Sequence, residues 1–246
     1  MKILVIGETC TDIFCYGTCD RLEPSAPVPV FKELSKRTSK GMAQLVANNI
    51  SSLGTTCDVI SNNNEDDITK VRYVDNRSNH MFLRVDTNDD KFTSCDLSSI
   101  EGTDFSQYAA VVISDYNKGF LSKEAIEYIL SRHSITFLDT KKVLGPWSTK
   151  AKFIKINSEE FRKSKDYIDD SYDDKIIITL GSIGSSYKGI NYSVENVSVK
   201  DVSGAGDTFL AALVTNYLKT FDIVSAIKFA NDCSTRVVQG RGMTIL

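Results

Sequence analysis

The residues Asp201 to Phe209, DVSGAGDTF, combine a glycine turn, the start of an apolar helical run and one acid at that turn. Gly204 and Gly206 let the backbone close around an anion, and the run Thr208 to Leu218 reads as a helix with its first N–H groups free. A helix N-terminus carries about half a positive charge. Charge building on a transferring phosphoryl group is therefore stabilised at Gly204, Ala205 and Gly206 by backbone amides, without a cationic side chain. Asp207, in the first turn, stands where a base is needed to take the proton from an attacking hydroxyl. A Gly-x-Gly-Asp segment also occurs as an ordinary helix start, so the rest of the chain must carry the choice.

Strands alternate with helices along the chain, the pattern of a mostly parallel sheet with helices on both faces. Short apolar strands fit Ile3 to Ile6, Cys57 to Ile60, Ala110 to Ile113, Ile135 to Leu138, Phe153 to Ile156 and Lys175 to Leu180. Helices fit Met42 to Leu53, Ser122 to Arg132, Ala205 to Lys219 and Ile223 to Val238, with Ser122 as an N-cap and Gly54 and Gly240 as C-caps. Lys2 to Asp12 reads as a buried strand running into a turn. Val28 to Leu34 and Lys70 to Asp86 alternate polar and apolar residues, which suggests antiparallel strands projecting from the sheet as a lid.

A chain of 246 residues with 41% hydrophobic content can bury a substantial core. A net charge of −3 gives no global basic footprint for nucleic acid. There is no apolar signal region and no run long enough to span a membrane, so the expectation is a cytoplasmic protein. The six cysteines, Cys10, Cys15, Cys19, Cys57, Cys95 and Cys233, form no CxxC pair and read as reduced thiols.

Taken together, KILVIGETCTD (Lys2 to Asp12), the Pro-rich PSAPVPVF (Pro24 to Phe31) and the DVSGAGDTF turn resemble the ribokinase-like (PfkB) carbohydrate kinases. The likeness is strongest to the heptose 7-phosphate kinases of ADP-heptose synthesis. It is carried further by KVRYV with LRVD (Lys70 to Val74, Leu83 to Asp86), SDYNKG (Ser114 to Gly119), DTKK (Asp139 to Lys142), NSEE (Asn157 to Glu160) and TLGSIG (Thr179 to Gly184). Order and rough spacing match over nearly the whole chain. The resemblance implies an α/β fold, a single ribokinase-like three-layer sandwich over residues 1–246, with lid strands from about 24–36 and 69–87. It implies ATP and Mg²⁺ as cofactors, a sugar or sugar phosphate as acceptor, and a homodimer formed through the lid.

The resemblance also assigns roles. Asp207 matches the general base and Gly204 to Gly206 the anion hole. Asn157 and Glu160 match the pair that organises Mg²⁺, with Glu159 as an alternative, although an Asn there could equally cap the next helix. Thr179, Gly181, Gly184 and Ser203 fall on the nucleotide side, and Asp139 and Lys141 near its phosphates. Asp12, Gly41, Gln44, Arg84, Asp115 and Lys118 fall on the acceptor side, where Arg72 and Arg84 could also meet a phosphate on the sugar.

The acceptor side departs from the family pattern. Glu8 replaces an Asp, Met42 takes the place of a glycine, and Leu45 stands where a sugar-binding Asn is usual, with Gln44 as a substitute if the helix shifts. The segment between Gly54 and Lys70 lacks a strand and helix unit, so one flank of the sheet should be reduced. Two readings follow: an ATP-dependent sugar kinase, with a nucleoside or vitamin kinase as its rival, or a binding subunit that keeps the kinase fold over a degenerate acceptor pocket.

Overall fold

The computed structural model describes residues 1–62, 68–89, 100–242 and 245–246. Its strands are β1 (Lys2–Gly7), β2 (Thr9–Leu22), β3 (Pro29–Met42), β4 (Thr56–Ile60), β5 (Ile68–Asp75), β6 (Met81–Thr87), β7 (Ala110–Asp115), β8 (Thr136–Thr140), β9 (Phe153–Asn157), β10 (Ile176–Thr179), β11 (Ser185–Tyr187) and β12 (Ile190–Tyr192). Its helices are α1 (Ala43–Ser52), α2 (Lys123–Arg132), α3 (Ser158–Ser164), α4 (Ala205–Thr220) and α5 (Ile223–Val237).

The main sheet runs β12-β11-β10-β9-β8-β7-β1-β4. It is parallel from β10 to β4, and β11 and β12 close one edge as antiparallel strands. Its inner strands β1 and β7 are mostly apolar because both of their faces are covered. Ile3, Val5, Val112 and Phe137 face the layer of α1, α4 and α5. Leu4, Ile6, Val111 and Leu138 face α2 and Trp147 on the other side. Two-residue alternation thus feeds two cores from one run, and each fully buried Ile or Leu contributes about 1.5–3 kcal/mol. This is the three-layer α/β architecture expected from the element order. Ser122 does cap α2, accepting the Ala125 N–H at 3.1 Å, and Gly54 follows α1 at φ +82°.

Other expectations need correcting. The first strand does not end in a turn at Asp12: after Glu8 the chain re-enters extended backbone as β2, a 14-residue strand. The strands expected to form a lid belong to a second sheet of order β3-β2-β5-β6, and β2 pairs with β5 in parallel, so it is mixed rather than antiparallel. A period-two pattern cannot distinguish these, because strand direction leaves no mark on alternation. Helix α3 is the helix that Asn157 could cap, and at seven residues it is too short for a 3.6 period to give its bounds. Gly240 is not among the glycines with positive φ, and α5 ends instead on Val238 in the right-handed region. The reduced flank is present as β4, a half-exposed edge strand. The polar segment 61–67, SNNNEDD, whose sequence reads as a solvated loop, falls largely outside the described residues, as does Cys95, while the other five cysteines are free thiols.

Candidate active site

Helix α4 begins on Gly204, held at φ +78°, a conformation that glycine adopts without strain. Ala205 and Gly206 then line a cavity of about 570 Å³. Thr179, Gly181 and Gly184 from the end of β10, Lys141 after β8, and Lys155 and Asn157 of β9 line it as well. Parallel strands ending at one edge, with a helix N-terminus aimed at them, leave a crevice suited to a phosphorylated ligand. Gly181, at φ +61°, and Gly184, at φ +107°, turn the chain there, and a Cβ on Gly184 would sit 2.1 Å from the Tyr192 carbonyl oxygen. Ser203 lies in the turn before Gly204, its N–H donated to Asp201 Oδ1 at 2.8 Å, and is not part of the lining.

Asp207 is 4% exposed. Burial pushes its carboxyl up to about 6, opposed by the Tyr116 hydroxyl, which donates to Oδ1 at 2.6 Å. Asp139 on β8 adds to the upward shift, while Lys155 and Lys141 oppose it. The carboxyl is therefore ionised at neutral pH but poised close to its titration.

Lys155 is the residue that the sequence reading missed. It sits in the middle of the apolar strand β9, is 4% exposed and donates to Asp139 Oδ2 at 2.6 Å. The signal was a charge inside a buried run, at the alternation position of Phe153, whose side chain faces α4. Tyr116 had no such signal. It lies in the loop after β7, and Glu8 fixes that loop by accepting the N–H groups of Tyr116 at 2.8 Å and Lys118 at 2.9 Å. Glu8 is completely buried, which raises its pKa, with Asp115 contributing.

Asn157 and Glu160 form a reciprocal capping box at the start of α3. Asn157 Oδ1 accepts the Glu160 N–H at 2.8 Å, and Glu160 Oε2 accepts the Asn157 N–H at 2.7 Å. Glu160 also pairs with Lys141. Asp139 keeps one buried oxygen, Oδ1, with no hydrogen-bond partner.

The acceptor-side residues are not gathered around this cavity. Asp12 is fully buried, ion-paired to Arg72, and receives the Cys10 thiol at 3.3 Å. A Cβ on Gly41 would stand 2.0 Å from Asp12 Oδ2, so Gly41 makes room for that carboxylate. Arg72 is thereby occupied, and Arg84 on β6 forks onto Asp86 with two bonds of 2.9 Å. Gln44 bonds Asn48 at 3.1 Å within α1. Asp115 accepts from Lys142 at 2.7 Å and from Thr140, and Lys118 pairs with Asp89. Met42 keeps φ 56°, ψ −133°, a glycine-type conformation held by a buried side chain. Its side chain clusters with Cys10 and Ile68, and Tyr116 packs against that cluster.

The family model described as pfkB family carbohydrate kinase matches residues 40–246. The bifunctional protein HldE of Nitratiruptor sp. is 28% identical over 94% of this chain and 60% of its own length. That of Helicobacter pylori strain J99 is 27% identical over 99% of this chain and 64% of its own. The chain thus spans less than two thirds of the length of these relatives. Among solved structures, Thermotoga maritima ribokinase superposes with a TM-score of 0.72 at 14% identity, covering 98% of this chain and 93% of that one. The Methanocaldococcus jannaschii nucleoside kinase gives 0.71 at 18%, covering 98% and 92%. With a family match over residues 40–246, most of its length, the chain belongs to the pfkB family of carbohydrate kinases.

Proposed function

We propose that the chain transfers the γ-phosphoryl group of ATP to a hydroxyl of a sugar phosphate, with heptose 7-phosphate as the leading acceptor and the 1,7-bisphosphate as product. The observation that carries this is the placement of Asp207, ionised and buried, in the first turn of a helix whose amides face a cavity lined by Lys141 and Lys155. The HldE likeness over nearly the whole chain supports the heptose choice.

In this reading Asp207 takes the proton of the acceptor hydroxyl. The Gly204 to Gly206 amides and the Lys155 ammonium stabilise negative charge on the transferred group, and Lys141 neutralises charge on the nucleotide phosphates. Thr179, Gly181 and Gly184 leave room for the nucleotide against the backbone.

The residues fit Mg²⁺. Asp139, whose Oδ2 accepts from the cavity-lining Lys155, has in Oδ1 a buried hard oxygen donor without a hydrogen-bond partner. Asp139 would hold the ion, with Asn157 and Glu160 contributing through water. Bound there, Mg²⁺ supplies charge neutralisation on the nucleotide phosphates.

A lid-mediated homodimer belongs to the same proposal. Residues paired across strands share a face, so Val71 with Val85 and Tyr73 with Leu83 line the outer side of the lid. Leu83 is 55% exposed there and Phe31 packs on Tyr73 at 5.2 Å. No helix among the described residues is long and apolar enough to cross a membrane, and the need for ATP goes with a cytoplasmic site of action.

A second reading, a binding subunit with the kinase fold, is favoured by Met42 and Tyr116, which fill the acceptor side beside Asp207. ATP consumption with Mg²⁺ over a panel of heptose, hexose and pentose phosphates, free sugars and nucleosides separates the two. Turnover that is lost in Asp207→Asn supports the kinase and names its acceptor; calorimetric ATP binding without turnover supports the binding subunit.

A further inference from the structure

The loop after β7 carries one side chain into the centre of the site. Tyr116 donates its hydroxyl to Asp207 Oδ1 at 2.6 Å across 91 residues of sequence. Two ammonium groups, those of Lys70 of β5 and Lys141, each stand 5.6 Å from the centroid of its ring. Cation–π contacts of this kind hold a ring in one orientation. Below it are Cys10, Met42 and Ile68. Its backbone is pinned by Glu8, which accepts the N–H groups on either side of Asn117, itself at φ 56°. A phenol fixed by a backbone clamp, two cations and an apolar floor has one place for its proton, and that place is the base.

We infer that Tyr116 is the positioning residue of Asp207: its hydroxyl fixes the carboxylate through Oδ1 and turns Oδ2 toward the acceptor hydroxyl. The inference rests on the reading of Asp207 as the base. A hydrogen bond donated to the ionised form also favours ionisation, which a buried carboxylate otherwise resists. The other groups acting on Asp207 are Asp139 on β8, Lys141 after it and Lys155 on β9, and Asp207 in turn acts on Cys10 of β2. The phenol itself does not titrate in the working range, because burial, with Asp207 and Asp139 beside it, raises its pKa well above the usual value.

The test is a pair of titrations on the whole chain, with Tyr116→Phe and with 3-fluorotyrosine placed at Tyr116. Carboxyl-labelled aspartate followed by carbon NMR, with Asp207→Asn assigning the signal, gives the Asp207 midpoint directly. Loss of a hydrogen bond to a charged group raises that midpoint by about one unit. The low-pH limb of kcat/KM moves up with it, so that turnover of Tyr116→Phe falls about fivefold at pH 6 but only about twofold at pH 7. KM for ATP stays unchanged. The fluorinated phenol is a stronger donor that preserves the packing, and it moves the midpoint down. A midpoint that does not move in either variant overturns the inference. Absence of turnover with every acceptor overturns the kinase reading instead, and leaves the NMR midpoint to decide the role of Tyr116.

Discussion

A Cβ added to Gly206 would stand 3.1 Å from Nζ of Lys155. The ammonium group of a residue in the middle of β9 is thus seated against the first turn of α4, and the glycine is what lets it approach. Helix amides and a buried cation share one wall of the cavity, so an anion bound there meets both.

Lys155→Met should weaken ATP binding by about tenfold to a hundredfold, as loss of a charge-assisted bond implies. It also strands the Asp139 carboxylate, which already has one unpaired buried oxygen, and removing one partner of a buried pair destabilises by about 3–5 kcal/mol. Adding Asp139→Leu should recover much of the melting temperature without recovering ATP affinity. Calorimetry beside thermal melts checks this; unaltered ATP affinity in Lys155→Met would remove the lysine from the phosphate site.

Asp207→Asn should lower turnover by about a hundredfold to ten-thousandfold while leaving ATP binding intact. It should also stabilise the fold. The folded carboxyl, at about 6, holds its proton more tightly than an unperturbed aspartate at 3.8, so the native state binds more protons than the unfolded chain between those values and wild-type stability falls as pH rises through that window. The advantage of the Asn variant should therefore be absent below about pH 4, grow toward pH 6 and level off near 3 kcal/mol. Urea unfolding at several pH values measures it.

Met42 sits at φ 56°, ψ −133°, where a side chain is strained by about 1–3 kcal/mol. Met42→Ala and Met42→Gly both lose the buried side chain, but only the glycine relieves the backbone. The glycine variant should be the more stable by about 1 kcal/mol, the reverse of the usual order. Equal melting, or an advantage for alanine, would show that the surroundings and not the side chain hold that conformation.

Leu83→Asp puts a charge in the outer face of the lid, beside Tyr73 in the ladder. Sedimentation should show a dimer for the parent chain and a monomer for the variant, with melting of the variant little altered because Leu83 is 55% exposed. A parent chain that sediments as a monomer at micromolar concentration would exclude the lid dimer.

What could be read along the chain was local. The apolar strands announce two-faced burial, and the glycine turn with its acid lies within nine consecutive residues, so the sheet order of layers and the helix N-terminus at Asp207 were legible. The partners of the site residues were not, because they are set by packing between distant segments. Asp12 and Arg72 pair across 60 residues and close off an acid that the sequence placed at the acceptor. Tyr116 reaches Asp207 across 91, through a loop whose shape depends on a buried Glu8. Lys155 reads as a charge misplaced in a strand until β8 and β9 are aligned and Asp139 stands beside it. A side chain's type and period fix which face it takes, but the charge it meets there depends on which strand and loop the fold brings alongside.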